Sequence, residues 1–365
     1  TGWAAGVALL AYLCVTTNYT GKVLGRIMDT HPDVRTFADM GSLAFGVAGK
    51  RAITCVFCVE LVAALAMFLT VMVDNLLRLV EHSALDMSRD VAFGVCAAVV
   101  LPTCWTDRLS VLSHLSVVGI VSCFCLFFCL VVVGLTTSGN LGKGGSFRRI
   151  DWAGFVAFGE ADRLPYALGL FMVGFSGHVV FPSIRDGMTE PKRFSQLVDA
   201  VYVISALLYL AMGLVGFLLF TRWTKEEVTL NLADVAGGSA LVTLTTWLIV
   251  INPFTKFALT LNPLATIALH AIGGAESNWW LTKVQRTVLT LLTLLVAIFT
   301  PSFASICAFV GAFCSFVVSV IFPLCCFVAT MPLSARSRRF HIAFIALNVV
   351  LCVVGTIAVF FPPQT

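Results

Sequence analysis

Hydrophobic positions in this chain neither alternate nor keep to one helical face. They run on almost without interruption, and polar residues collect in the intervals. Ten such runs are long enough for a hydrocarbon core or nearly so: 2–25, 52–80, 90–105, 112–136, 165–184, 194–221, 241–270, 284–301, 303–328 and 340–361, the third and fifth being short. About 20 apolar residues in a helix cross a bilayer, whereas barrel strands would alternate. The pattern predicts an all-α, polytopic membrane protein. Turn formers at 138–145 and 273–275 punctuate the runs. The longest connection, 137–164, is too short for a soluble catalytic domain, so 1–365 reads as a single membrane domain.

The fifth run is interrupted at its middle by Gly174-Phe175-Ser176-Gly177-His178, with Pro182 close behind. A spanning helix must satisfy its own backbone, so a break survives only against protein or a wet cavity. Secondary transporters use such broken helices to present backbone groups to substrates and ions. The expectation is a carrier, with Ser176, Gly177 and neighbouring amides holding the charged ends of a zwitterion. Phe171 and Phe175, one turn apart, are candidates to wall a substrate side chain. His178 could relay protons or hydrogen-bond free carbonyls at a half-helix end.

Ionisable groups at membrane depth are costly and therefore candidates for function. Glu60 reads as lying about two turns from the cytosolic end of its run, shallow enough to meet a water-filled vestibule; Asp74 falls near the other end. Lys256 stands mid-run within Asn252-Pro253-Phe254-Thr255-Lys256, and Asn262-Pro263 follows. Proline cannot donate to the residue four back, so two Asn-Pro steps free carbonyls at two levels. With Thr255 they could form a coordination surface, Lys256 standing in for a bound cation or titrating itself; alternatively Lys256 only neutralises Glu60. His114 lies beside a face of small residues (Ser113, Ser116, Gly119, Ser122) that suits close helix packing.

Composition agrees: 59% of residues are hydrophobic and 12% charged, which excludes an ordinary soluble domain and any nucleic-acid interface. The 13 cysteines fall in or beside apolar runs without zinc-site spacing, so they read as small hydrophobes. No metal, cofactor or catalytic residue is expected. Of the lysines and arginines, 14 fall on odd connections and their flanks and 8 on even ones. The positive-inside rule then puts the 26–51 connection in the cytosol and both chain ends outside it. The sequon-like Asn18-Tyr19-Thr20 falls at the cytosolic end of a run. With Thr1 leading straight into a run and no signal peptide, one further helix upstream is expected.

The residues assembled here resemble the amino acid/auxin permease family. Asn18-Tyr19-Thr20-Gly21-Lys22 is similar to that family's YTGK at its second helix. The run from Gly174 to Pro182, with Met188, Pro191 and Phe194, resembles its FSGHxVFPxIxxxMxxPxxF at the sixth. The run from Asn252 to Pro263 resembles its eighth. The strings are closest to the branch with vacuolar neutral amino-acid transporters and the vesicular inhibitory amino-acid transporter. The resemblance implies a LeuT-like inverted-repeat bundle, here without the family's first helix. It also implies amino acid and protons as partners in an endomembrane bilayer. His178, Glu60, Thr255 and Lys256 become the candidates for proton or ion coupling.

Two other readings remain open. A receptor that binds an amino acid without moving it would show the same site. Gly174-Phe175-Ser176-Gly177 also matches the GxSG of intramembrane serine proteases, with His270 as partner, although such a dyad needs both groups at one depth.

Overall fold

The computed structural model describes residues 2–81, 87–105, 109–137, 144–225, 227–236, 239–271, 279–300 and 302–361, except the side chains of 109–116, 118 and 270. The connections 138–143 and 273–275, Arg108, Lys143, and the side chains of Ser113, His114, Ser116 and His270 therefore lie outside the described residues.

Every apolar run becomes helix. In chain order these are α1 (Trp3–Thr30), α2 (Phe37–Val80), α3 (Arg89–Cys104), α4 (Leu109–Thr136), α5 (Leu164–Val173), α6 (Phe181–Asp186), α7 (Phe194–Phe220), α8 (Val228–Ala236), α9 (Ala240–Ala271), α10 (Trp279–Phe299), α11 (Phe303–Phe309), α12 (Phe322–Thr330) and α13 (Ala335–Phe360). Eight helical stretches among the described residues are long and apolar enough to cross a membrane, and the protein is a multi-pass membrane protein. Outside those eight, α3 has 16 residues, and α1 loses hydropathy through its Thr16–Thr20 stretch.

Two expectations about elements are corrected. The second run starts at 52 by hydropathy, but α2 begins at Phe37 and bends at Gly46, whose φ of 65° is in the left-handed region that suits glycine. The added residues are held by packing: Phe37 lies 4.9 Å from Phe322, and Met40 and Ile53 are buried with Val318 and Phe322. Second, α8 forms inside the connection after α7. Asn231 ties it down, donating to the Trp223 carbonyl at 2.8 Å and accepting from the Lys225 amide at 2.8 Å. Its Leu232 is buried with Leu130, Val133 and Phe220.

Local chemistry explains several boundaries. The Ser88 hydroxyl caps α3 at the Val91 amide (3.4 Å), and that of Ser334 caps α13 at the Ser337 amide (3.3 Å). The ninth apolar run is a helix with altered winding: α11 passes into α12 through π-helical turns at Val310–Ser315 and Val317–Ile321.

The chain divides into two compact units. One comprises Thr1–Glu60, Val156–Ala211 and Cys307–Thr365; the other comprises Leu61–Phe155 and Met212–Ile306. In the first, α1, α5, α7, the π-helical stretch and α13 share a core of Leu10, Leu13, Leu168, Met172, Phe316, Val320 and Cys352. There Gly169 and Gly311 let backbones touch: a Cβ on Gly311 would meet the Gly169 carbonyl oxygen at 1.8 Å. In the second, Gly119 of α4 faces α9, where a Cβ would meet Asn252 Oδ1 and Lys256 Cε, each at 2.9 Å. This bears out close packing for that part of the small-residue face.

Candidate functional site

The interruption expected around Ser176 is present. α5 stops at Val173, and the next three amides fold back in tight turns: Gly174 to the Phe171 carbonyl (3.2 Å), Phe175 to Met172 (3.0 Å) and Ser176 to Val173 (3.3 Å). A single 3₁₀ turn, His178–Val180, leads into α6. Pro182 lies in the first turn of α6, where its missing N–H is no loss. Gly177 is extended (φ 170°), and a Cβ there would find nothing within 4 Å. Open space adjoins the break.

Glu60 reaches this break from α2. One carboxylate oxygen accepts from Ser176 Oγ at 2.6 Å and from Ser315 Oγ at 3.0 Å. Glu60 is 6% exposed, so its carboxylate does not face an open vestibule as its place in the run suggested. The carboxylate is inside the protein, 14 residues beyond the bend at Gly46. Its donors are hydroxyls rather than the ammonium of Lys256. Ser315 belongs to the first π-helical turn, a winding often found at functional sites.

His178 is fully buried. Its Nε2 lies 3.0 Å from the Thr17 carbonyl and 3.0 Å from Thr20 Oγ1. A carbonyl only accepts, so Nε2 carries the hydrogen. Thr20 Oγ1 in turn donates to the Ser319 carbonyl at 2.7 Å. Nδ1 has no partner among the described residues. The carbonyl that His178 engages therefore belongs to α1, not to a half-helix end. The end of α5 is served by Tyr209, whose hydroxyl donates to the Gly174 carbonyl at 2.8 Å.

Phe175 is buried, stacked on Tyr202 at 5.9 Å and edge-on to Tyr209 at 5.5 Å. Phe171 is half-buried against the core around Met172 and Phe316. The two rings thus build the wall behind the break.

The Asn-Pro positions behave differently from an opening. α9 stays helical through Pro253 and Pro263. The asparagines bind neighbours instead: Asn252 donates to the Gly119 carbonyl at 3.3 Å, and Asn262 accepts from Arg286 at 2.9 Å. Thr255 turns back to the Asn252 carbonyl at 2.7 Å. Packing against α4 and α10 thus holds this helix together despite two missing donors. Arg286, counted above as a flanking charge, is 7% exposed. It donates to the Cys104 carbonyl at the end of α3 at 2.8 Å, where a cation suits the helix dipole.

Reading the residues alone missed Ser315, Thr17, Thr20, Tyr202 and Tyr209 as partners of this site. Ser315 and Ser319, four apart in an otherwise apolar run, were the available signal. For the protease reading, the hydrogen-bond partner found for Ser176 is a carboxylate rather than an imidazole, and the family found below is one of transporters.

Comparison with known proteins follows the same direction. The chain is 31% identical over 367 residues to amino acid transporter AVT1E of Arabidopsis thaliana, covering 97% of this chain and 66% of that protein. With AVT1D of the same plant it is 32% identical over 341 residues, covering 90% and 59%. The chain thus spans roughly three fifths to two thirds of the length of these curated relatives. Among solved structures it is similar to MHP1, a nucleobase-cation-symport-1 family transporter in a closed conformation with bromovinylhydantoin bound. The TM-score is 0.52 at 13% identity, covering 98% of this chain and 82% of that one. That likeness concerns the fold, which is LeuT-like. A family model described as transmembrane amino acid transporter protein matches residues 1–362, and the chain belongs to that family.

Proposed function

We propose that this chain belongs to a proton-coupled amino-acid transporter that works by alternating access in an endomembrane. The observation that carries the reading is the α5–α6 break, where Ser176 and Gly177 adjoin open space and the Glu60 carboxylate is bonded to the Ser176 hydroxyl. Half-helix ends offer opposite partial charges to a zwitterion's ammonium and carboxylate, and an amino acid carries both. Glu60 is the coupling group: a proton on it cancels the charge that two hydroxyls share and loosens their hold on the break. The bare Nδ1 of His178 is the second acceptor. Thr255 and Lys256 on α9 serve as the ion-site region, with the ammonium in place of a bound cation. The names of the relatives support amino acids as the substrate class, and the resemblance to vacuolar and vesicular transporters supports an endomembrane.

The test is uptake of radiolabelled amino acids into proteoliposomes under an imposed pH gradient. Flux that follows the gradient in the wild type and is lost in Glu60→Gln supports the reading. Saturable binding without flux identifies a receptor instead, and flux indifferent to pH removes the coupling.

A further inference from the structure

α1 and α13 run antiparallel and touch through two polar pairs. Tyr12 donates to Asn348 at 3.0 Å, and Tyr19 lies 2.6 Å from Nε2 of His341. The pairs are seven residues, or about two turns, apart on each helix. Over and between them lies a groove of about 580 Å³, lined by Tyr12, Val15, Tyr19, Phe340 and Phe344 among others. It is apolar and open on its outer side, with Val15 69% and Phe340 61% exposed. α13 is one of the helices long and apolar enough to cross a membrane, so hydrocarbon is the medium beside its exposed face.

The lining changes character at one end. On α1 the groove row continues from Tyr19 to Arg26, two turns on. On α13, Arg336 precedes Phe340 and Phe344 at four-residue spacing, which places it on their face. Arg338 and Arg339 are its neighbours, and all four arginines are exposed. Among the described residues none of them forms an ion pair. The nearest acid on α1, Asp29, is taken by Arg185. Beyond one end of the apolar groove, its two rows thus continue into two uncompensated cations, Arg26 and Arg336, with Arg338 and Arg339 adding positive charge on the same helix end. A membrane anion with hydrocarbon attached satisfies both parts, and juxtamembrane arginine clusters attract anionic lipid.

We propose that this groove binds one anionic glycerophospholipid. An acyl chain lies along Val15, Phe340 and Phe344, and the phosphate is held by Arg26 and Arg336. The site is separate from the α5–α6 break and does not depend on what is transported. Binding is measured by native mass spectrometry of the detergent-solubilised chain titrated with dioleoyl-phosphatidylglycerol, dioleoyl-phosphatidylcholine or inorganic phosphate. The expected result is selective retention of phosphatidylglycerol. The double variant Arg26→Gln/Arg336→Gln weakens it roughly twenty- to thirtyfold, each arginine near an anionic headgroup contributing about fivefold. Val15→Trp, which fills the groove from an exposed position, weakens it with every arginine in place. Equal retention of the two lipids overturns the proposal, as does unchanged affinity in both variants. Displacement of the lipid by inorganic phosphate alone overturns it in favour of a free-anion site.

Discussion

Three glycines show how differently the same residue type behaves in this protein. Gly177 borders open space, so Gly177→Ala should leave thermal unfolding in detergent within about 0.5 kcal/mol of wild type. Any loss of amino-acid uptake in that variant then reports contact with the ligand. Gly311→Ala should lower stability by at least about 1–3 kcal/mol, because its Cβ would overlap the Gly169 carbonyl and two packed segments must separate. The same unfolding assay separates the two outcomes. Gly46 is needed for its positive φ instead. Glu60 could be singled out beforehand because an acid within an apolar run is costly. Its pairing with Ser315 could not, since the two are 255 positions apart and nothing local relates them. Ser315→Ala should cost about 1.5–3 kcal/mol, the worth of a hydrogen bond to a charged group, measured as a lower unfolding midpoint.

The broken helix was legible because glycine and proline act through the backbone itself, which neighbours cannot hide. The same reasoning overreached at α9. Its prolines remove donors as surely as any, yet the helix persists because Asn252, Asn262 and Arg286 tie it to α4, α10 and the end of α3. The start of α2 was misjudged for the opposite reason: hydropathy sees lipid exposure, while Phe37 and Met40 are buried against protein. The π-helical turns had no local signature at all. For the α5–α6 break, the Tyr209 hydroxyl is the one side-chain tie to the Gly174 carbonyl among the described residues. Tyr209→Phe should speed hydrogen exchange of the amides at 174–178 about fivefold, the equivalent of about 1 kcal/mol. Unchanged exchange would show that the core around Phe175 alone holds the break.

For the molecule as a whole, the charge bias predicts that the 331–334 connection faces the cytosol and the 150–158 segment faces away. The amides of Trp3 and Ala4 bond the carbonyls of Val156 and Ala157 at 3.0 Å, which puts the start of α1 beside that segment, as the bias requires. Protease sites inserted at 156 and at 333 should be cut from opposite sides of sealed, oriented vesicles; cleavage of both from one side would refute the topology. The all-helical class, membrane residence, the break and the acid within an apolar run all followed from residue order, because a bilayer turns hydropathy and backbone chemistry into strong local rules. Which hydroxyls hold Glu60, which carbonyl His178 engages, and whether two prolines open a helix or are absorbed by it depended on distant segments brought together. Such contacts are set by packing among helices that share the same greasy composition, and composition cannot tell one greasy neighbour from another.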